Sequence, residues 1–133
     1  MLYEVSSRRV VIDKKGNDRY LTEHFLVDNK GLFADAEAAV LELYNGENDV
    51  VAIKRSSIAD IINKRTTDDE SIYLATFEQT ELDNGVEKTS KYKAILFSDS
   101  WNNANDIALE SAKKSIIDTT LVGIKKSKFA DLM

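Results

Sequence analysis

What most constrains this chain is that it repeats itself. Ile53-Lys54-Arg55-Ser56-Ser57-Ile58-Ala59-Asp60-Ile61-Ile62 lines up, without a gap and at an offset of 71 residues, on Ile124-Lys125-Lys126-Ser127-Lys128-Phe129-Ala130-Asp131-Leu132-Met133. Five of the ten positions are identical and four more keep their character; only Ser57 and Lys128 differ in kind. Self-similarity at a fixed offset is read before any local pattern, because it dictates that one supersecondary unit is used twice.

The rest of the chain keeps the same order. Each half opens with an alternating segment, Leu2–Val5 and Ile72–Ala75, and reaches a polar turn, Asp13–Asn17 and Asp83-Asn84-Gly85. Asn-Gly accepts the positive φ that a tight hairpin turn demands. Second strands return over Tyr20–Val27 and Lys88–Phe97, with Val27 and Ile95 as matching core positions. A helix follows in both halves. Phe33, Ala36, Val40 and Leu43 recur at helical spacing behind Asp35 and Glu37; Ile107, Ala108 and Ala112 do so behind Asn102 or Asn103 as the cap. Phe33 and Trp101 fall just before the helices, where a hydrophobic staple fixes the entry of the chain. Third strands close each unit at Asp49–Arg55 and Thr119–Lys125, and the apolar ends Ile58–Ile62 and Phe129–Met133 fold back as anchors.

The pattern predicts an α+β domain over residues 1–133, a tandem duplication of a ββαβ unit with pseudo-twofold symmetry and mostly antiparallel sheet. The first repeat is 1–62, the second 72–133, and the aperiodic stretch around NKRTTDDE forms a linker at 63–71.

Hydrophobic residues make up 43% of the chain, enough for a packed core, and there is no Cys to supply a disulfide or a thiolate. No apolar run approaches the roughly 18 residues of a membrane span. Met1-Leu2-Tyr3-Glu4 lacks the charged-then-apolar pattern of a secretion signal, so a cytoplasmic location is expected, in the host cell if the gene is a phage's. The net charge is −5, and acids outnumber bases in both halves, so no global field draws phosphate backbones.

Leu21-Thr22-Glu23-His24-Phe25-Leu26-Val27-Asp28, followed by Phe33–Ala38 (FADAEA), resembles a family of uncharacterised small proteins from Bacteroides-type bacteria and their phages. Its members carry a "TExYLVD" strand, a helix-opening "FTEAEA" and a "KTSxY" strand. The counterparts here are Thr22–Asp28, Phe33–Ala38 and Lys88-Thr89-Ser90-Lys91-Tyr92, with Phe129–Met133 matching a similar C-terminal segment. The chain departs from the family at Ala34, where a Thr would cap the helix, and at Met133 in place of Phe. The resemblance implies the fold and a bacterial or phage origin, and implies no activity or site residues.

Catalytic chemistry finds little purchase. His24 is the sole imidazole and sits in a strand beside Phe25 and Leu26, where a structural role is the default. The five glycines are dispersed, so no phosphate-binding loop exists. Asp13, Asn17 and Asp18 around Gly16 lack the ligand order of a calcium loop, and Asp68-Asp69-Glu70 reads as a solvated part of the polar linker. No catalytic residue, metal ligand or cofactor is therefore assigned.

Binding remains. The leading expectation is a non-enzymatic binding or adaptor protein that acts through protein contacts and self-associates, since duplicated units and strand edges invite pairing. The alternative is single-stranded nucleic-acid binding. Lys54-Arg55 and Lys125-Lys126 occupy equivalent repeat positions, and with Lys91 and Tyr92 they place cations beside strand aromatics, the ingredients of a base-stacking platform.

Overall fold

The computed structural model describes residues 2–28 and 33–133. In chain order the elements are β1 (Leu2–Ile12), β2 (Asp18–Asp28), α1 (Phe33–Glu42), β3 (Asn48–Arg55), β4 (Ile58–Ile61), β5 (Ser71–Asp83), β6 (Val86–Ser98), α2 (Trp101–Lys114), β7 (Asp118–Lys126) and β8 (Phe129–Leu132). The protein is α+β: two helices and two four-stranded, mostly antiparallel sheets, ordered β3-β1-β2-β8 and β4-β6-β5-β7.

Each sheet grows from a long hairpin. In the first, Asp13 closes the turn: its Oδ1 accepts from the amides of Lys15 and Asn17 at 2.9 Å each, and Gly16 takes φ +80°. In the second, Asn84 and Gly85 sit at φ +52° and +79°, the left-handed pair that matches the twist of the flanking strands. Pairing then runs from Leu2↔Asp28 to Ile12↔Asp18, and from Ser71↔Ser98 to Asp83↔Val86. The strands thus extend well beyond the short opening segments that alternation marks. Arg8-Arg9 and Val10-Val11-Ile12 interrupt the apolar/polar period, because no residue of that part of the hairpin is fully buried.

Strand alternation assigns one face of each sheet to a helix. Tyr3, Val5, Phe25 and Val27 form a core with Ala36 and Val40 of α1. Tyr73, Ala75, Phe77, Ala94 and Leu96 form the other with Ala104 and Ala108 of α2. Small residues on both helices let the backbone approach the sheet closely. The register corrects one expected match. Val27 lies opposite Tyr3, and the residue opposite Tyr73 is Leu96, not Ile95; Ile95 faces away from α2 beside Leu74 and is buried there.

The apolar ends are strands in their own right, which raises the six strands expected to eight among the described residues. Neither joins the hairpin of its own half. β4 pairs in parallel with β6, and β8 pairs in parallel with β2. Two compact units result, one of residues 1–56 with 128–133 and one of residues 57–127. The C-terminal segment is docked: the Met133 amide donates to the Leu26 carbonyl at 2.8 Å, and the Asp28 amide donates to the Met133 carbonyl at 2.9 Å. The shared Ala-Asp has a local reason. In each short strand the alanine (Ala59, Ala130) is skipped by the pairing, and the next carboxylate (Asp60, Asp131) accepts from the amide that follows it at 2.8 and 2.9 Å.

All four edge strands are bulged, β4 and β8 at those alanines, β3 at Val51 and β7 at Val122. A bulge interrupts the row of donors and acceptors that another strand would need, so the edges are poor templates for edge-to-edge pairing.

The helix starts differ from the expected caps. Ser100 is the N-cap of α2, its hydroxyl accepting from the Asn103 amide at 3.2 Å, while the Asn103 side chain donates instead to Asp99. Phe33 and Trp101 are the first helical residues rather than the residues before them. Phe33 meets the Tyr3 ring edge-on at 4.9 Å, and the Trp101 indole N–H donates to the Ile124 carbonyl at 3.2 Å. The stretch after β4 is irregular but tied down. Asn63 exchanges two bonds with the Phe97 backbone, and the Glu70 carboxylate accepts from the amides of Thr66 and Thr67 and from the Thr66 hydroxyl.

Candidate binding groove

A groove of about 650 Å³ runs along α2 in the second unit, between that helix and the edge strand β4. Three elements build it. Asp106, Glu110 and Lys114 recur every fourth residue and so share one stripe of α2, with Ile107 and Ser111 on the adjoining stripe. From β4 come Asp60 and, just past its end, Ile62; the bulge at Ala59 sets Asp60 opposite Ala94, on the side of the sheet that faces α2. β6 supplies Tyr92.

The Tyr92 ring is stacked on Phe77 at 5.1 Å with 20° between the planes, which fixes the phenol at the groove wall. Burial, and then the Asp60 carboxylate, push this phenol above its ordinary range, so at neutral pH it is a hydrogen-bond donor. Ile62 and Ile107 pack against the core beneath and give the groove an apolar floor. Its rim carries three carboxylates, Asp60, Asp106 and Glu110, against one ammonium, Lys114, which lies 3.5 Å from Glu110 in an exposed pair. Such a pair is worth about 0.3–0.5 kcal/mol and can open to admit a competing cation.

A smaller cavity of about 200 Å³ lies on the helix-averted face of the first sheet. It holds His24, whose Nδ1 is 3.0 Å from the Ser6 hydroxyl directly across the strand pair, and the Glu4–Lys128 ion pair at 3.5 Å. Lys54 is at its edge. The histidine's partner is a neighbouring serine, a cross-strand contact rather than a carboxylate-oriented base. Among the described residues no three His, Cys, Asp or Glu side chains are grouped to hold a metal ion.

The cations singled out from the sequence are dispersed by the same alternation. Lys54 lies opposite Glu4 and Arg55 opposite Tyr3, so the two project from opposite faces of the first sheet. Lys125 opposite Leu74 and Lys126 opposite Tyr73 are split in the same way in the second. Lys91, opposite Glu78, faces away from the groove that its neighbour Tyr92 lines. Tyr3, Phe25, Tyr73, Phe77 and Phe97 are all buried, whereas Tyr20 is exposed. Of the six residues, Tyr92 alone belongs to the groove. The groove's carboxylates were visible only as helical spacing, Asp106-x-x-x-Glu110-x-x-x-Lys114, and nothing local in the sequence announces that β4 would lie beside them.

Among the described residues, no helix is long and apolar enough to cross a membrane. No curated protein and no solved structure matches the chain. Its sequence matches a family model over residues 1–133, and the chain belongs to that family, described as Domain of unknown function (DUF4494).

Proposed function

We propose that the protein is a non-enzymatic binding or adaptor module, working in a bacterial or phage-infected cytoplasm, whose protein-contact surface is the groove along α2. The observation that carries this reading is the composition of that groove: an apolar floor of Ile62, Ile107 and the Tyr92 ring under a rim with an excess of carboxylate. An extended or helical segment with an apolar side chain or two between Lys or Arg residues complements it, the apolar anchors entering the floor and the cations displacing Lys114 from Glu110. Self-association follows the same route in this reading, through side chains rather than through strand edges, which the bulges spoil.

We further infer that the two halves descend from one duplicated ββαβ unit. The ten-residue match at an offset of 71 supports it, as does the order β3-β1-β2-β8, which the second sheet repeats when read as β7-β5-β6-β4.

The test is an amide-shift titration of the labelled protein with an amphipathic Lys/Arg-rich peptide of about ten residues and with its Glu-substituted counterpart. Shifts confined to α2, β4 and Tyr92, seen with the basic peptide and removed by D106K/E110K, are expected. Absence of shifts at millimolar basic peptide, or equal shifts with the acidic one, retires the groove as the contact surface.

A further inference from the structure

The β1–β2 hairpin does not stop where its support stops. β3 covers β1 only as far as the Arg9↔Asn48 pair, and β8 covers β2 only from His24 onward. Beyond those points the hairpin runs on as a two-stranded ribbon through Val10↔Tyr20 and Ile12↔Asp18 to the turn at Lys14-Lys15-Gly16. At about 3.4 Å per residue the free ribbon projects roughly 10–14 Å. Much of its apolar surface is in solvent: Val10 is 55% exposed, Ile12 74% and Tyr20 69%, while Val11 is half-buried.

The charge of this arm is opposite to that of the chain. The free ribbon, residues 10–22, holds Lys14, Lys15 and Arg19 against Asp13 and Asp18, a net of +1, and Arg8 and Arg9 at its base raise residues 8–22 to +3; since the total is −5, the remainder carries −8. The Asp13 carboxylate is occupied by turn amides, and Arg9 is held by Glu23 at 2.9 Å with its guanidinium over Tyr44. Lys14, Lys15 and Arg19 take part in no ion pair among the described residues. On the helix-averted face Arg8 lies 4.7 Å over the Tyr20 ring, beside Val10 and Ile12. Lys54 and Lys128 lie farther along that same face.

From this we infer that the β1–β2 arm is a nucleic-acid-binding ribbon that enters the major groove of a DNA duplex. A two-stranded ribbon is one of the two protein shapes the major groove admits, at about 12 Å wide and 8.5 Å deep. The ribbon enters with its helix-averted face toward the groove floor. Lys14, Lys15 and Arg19 meet phosphates at the groove walls, and the Arg8–Tyr20 face with Val10 and Ile12 meets base edges and thymine methyls. The inference rests on reading the protein as a binding module, but it uses the other unit and a different surface. The peptide titration at α2 therefore fails or succeeds independently of it.

The experiment is fluorescence anisotropy with a labelled 20-base-pair duplex, the matching single strand and poly-glutamate, using the full chain and its K14A/K15A and K14E/K15E variants. Three phosphate contacts give a slope of log affinity on log salt of about −2.7, so affinity falls about fortyfold between 50 and 200 mM salt. K14A/K15A should reduce the slope to about −0.9, and K14E/K15E should abolish binding, with circular dichroism unchanged in both. No duplex binding at 50 mM salt overturns the inference. So do binding that K14E/K15E leaves intact, tighter binding to the single strand than to the duplex, and equal competition by poly-glutamate.

Discussion

Phe77 is the side chain on which the second core turns, and its removal gives a worked prediction. It is fully buried among Tyr73, Ala75, Leu96, Ala104 and Ala108, and it carries the stacked Tyr92 ring. Phe77→Ala loses the transfer energy of the ring and leaves a cavity bounded by β-strands that cannot collapse, about 3–5 kcal/mol. Phe77→Leu keeps most of the volume at a cost of about 1 kcal/mol, and loses a ring-ring contact worth about 0.5–1.5 kcal/mol. The Leu variant should therefore fall at about 1.5–2.5 kcal/mol, well short of Ala. Urea unfolding followed by the fluorescence of Trp101, which starts the helix over this core, reads both. With m of about 2 kcal/mol/M the Ala midpoint moves down by about 2 M and the Leu midpoint by about 1 M. Phe77→Ala also uncovers Tyr92, so its phenol should titrate closer to the ordinary value, seen in the ultraviolet at alkaline pH. An Ala shift below 0.5 M, or equal losses for Ala and Leu, would refute the claim that this ring and its stack organise the core.

Three further outcomes are expected. Ser100→Ala should cost about 1 kcal/mol by thermal unfolding, because it orphans the Asn103 amide at the start of α2, whereas Asn103→Ala keeps the cap and should cost less. The Thr66 and Thr67 donors hold the Glu70 carboxylate below its ordinary range. Its contribution is complete above the unfolded-state pKa and is lost as pH falls through the lower folded value, so Glu70→Gln should flatten that acid limb of a stability–pH curve and leave the alkaline limb unchanged. Gly85→Ala should destabilise by about 1–2 kcal/mol in denaturant titration, since φ +79° penalises a Cβ even though open space surrounds it.

Much of the fold was legible because it rests on local rules. Asn84-Gly85 located a turn, Ala36 and Val40 located a buried stripe, and alternation located the strands wherever one face met a core. The exchange of β4 and β8 was not legible, and the reason is the repeat itself. Ile58–Ile61 and Phe129–Leu132 have the same apolar pattern and the same Asp, so pattern alone is degenerate between the two sheets. The excess length of the β1–β2 hairpin was hidden for the opposite reason: Val10 and Ile12 are exposed and Val11 is only half-buried, so no strict alternation is required of them. Period-two geometry does contain the separation of Lys54 from Arg55 and of Lys125 from Lys126, because neighbours in a strand point apart. The groove needed the tertiary structure, since Asp60 and Asp106 belong to elements that only the exchanged strand brings together.

The parallel pairing of His24–Leu26 with Phe129–Leu132 has a consequence for synthesis. The first sheet waits for a strand encoded roughly a hundred codons downstream, which a ribosome adding about 5–20 residues per second supplies roughly 5–20 s later. In that interval the vacant edge of β2 is within reach of Ile58–Ile61, a near-copy of the missing strand that is translated first. Nascent chains thus meet a decoy before the true partner exists, and a nonsense codon at residue 129 damages the fold at its beginning rather than at its end.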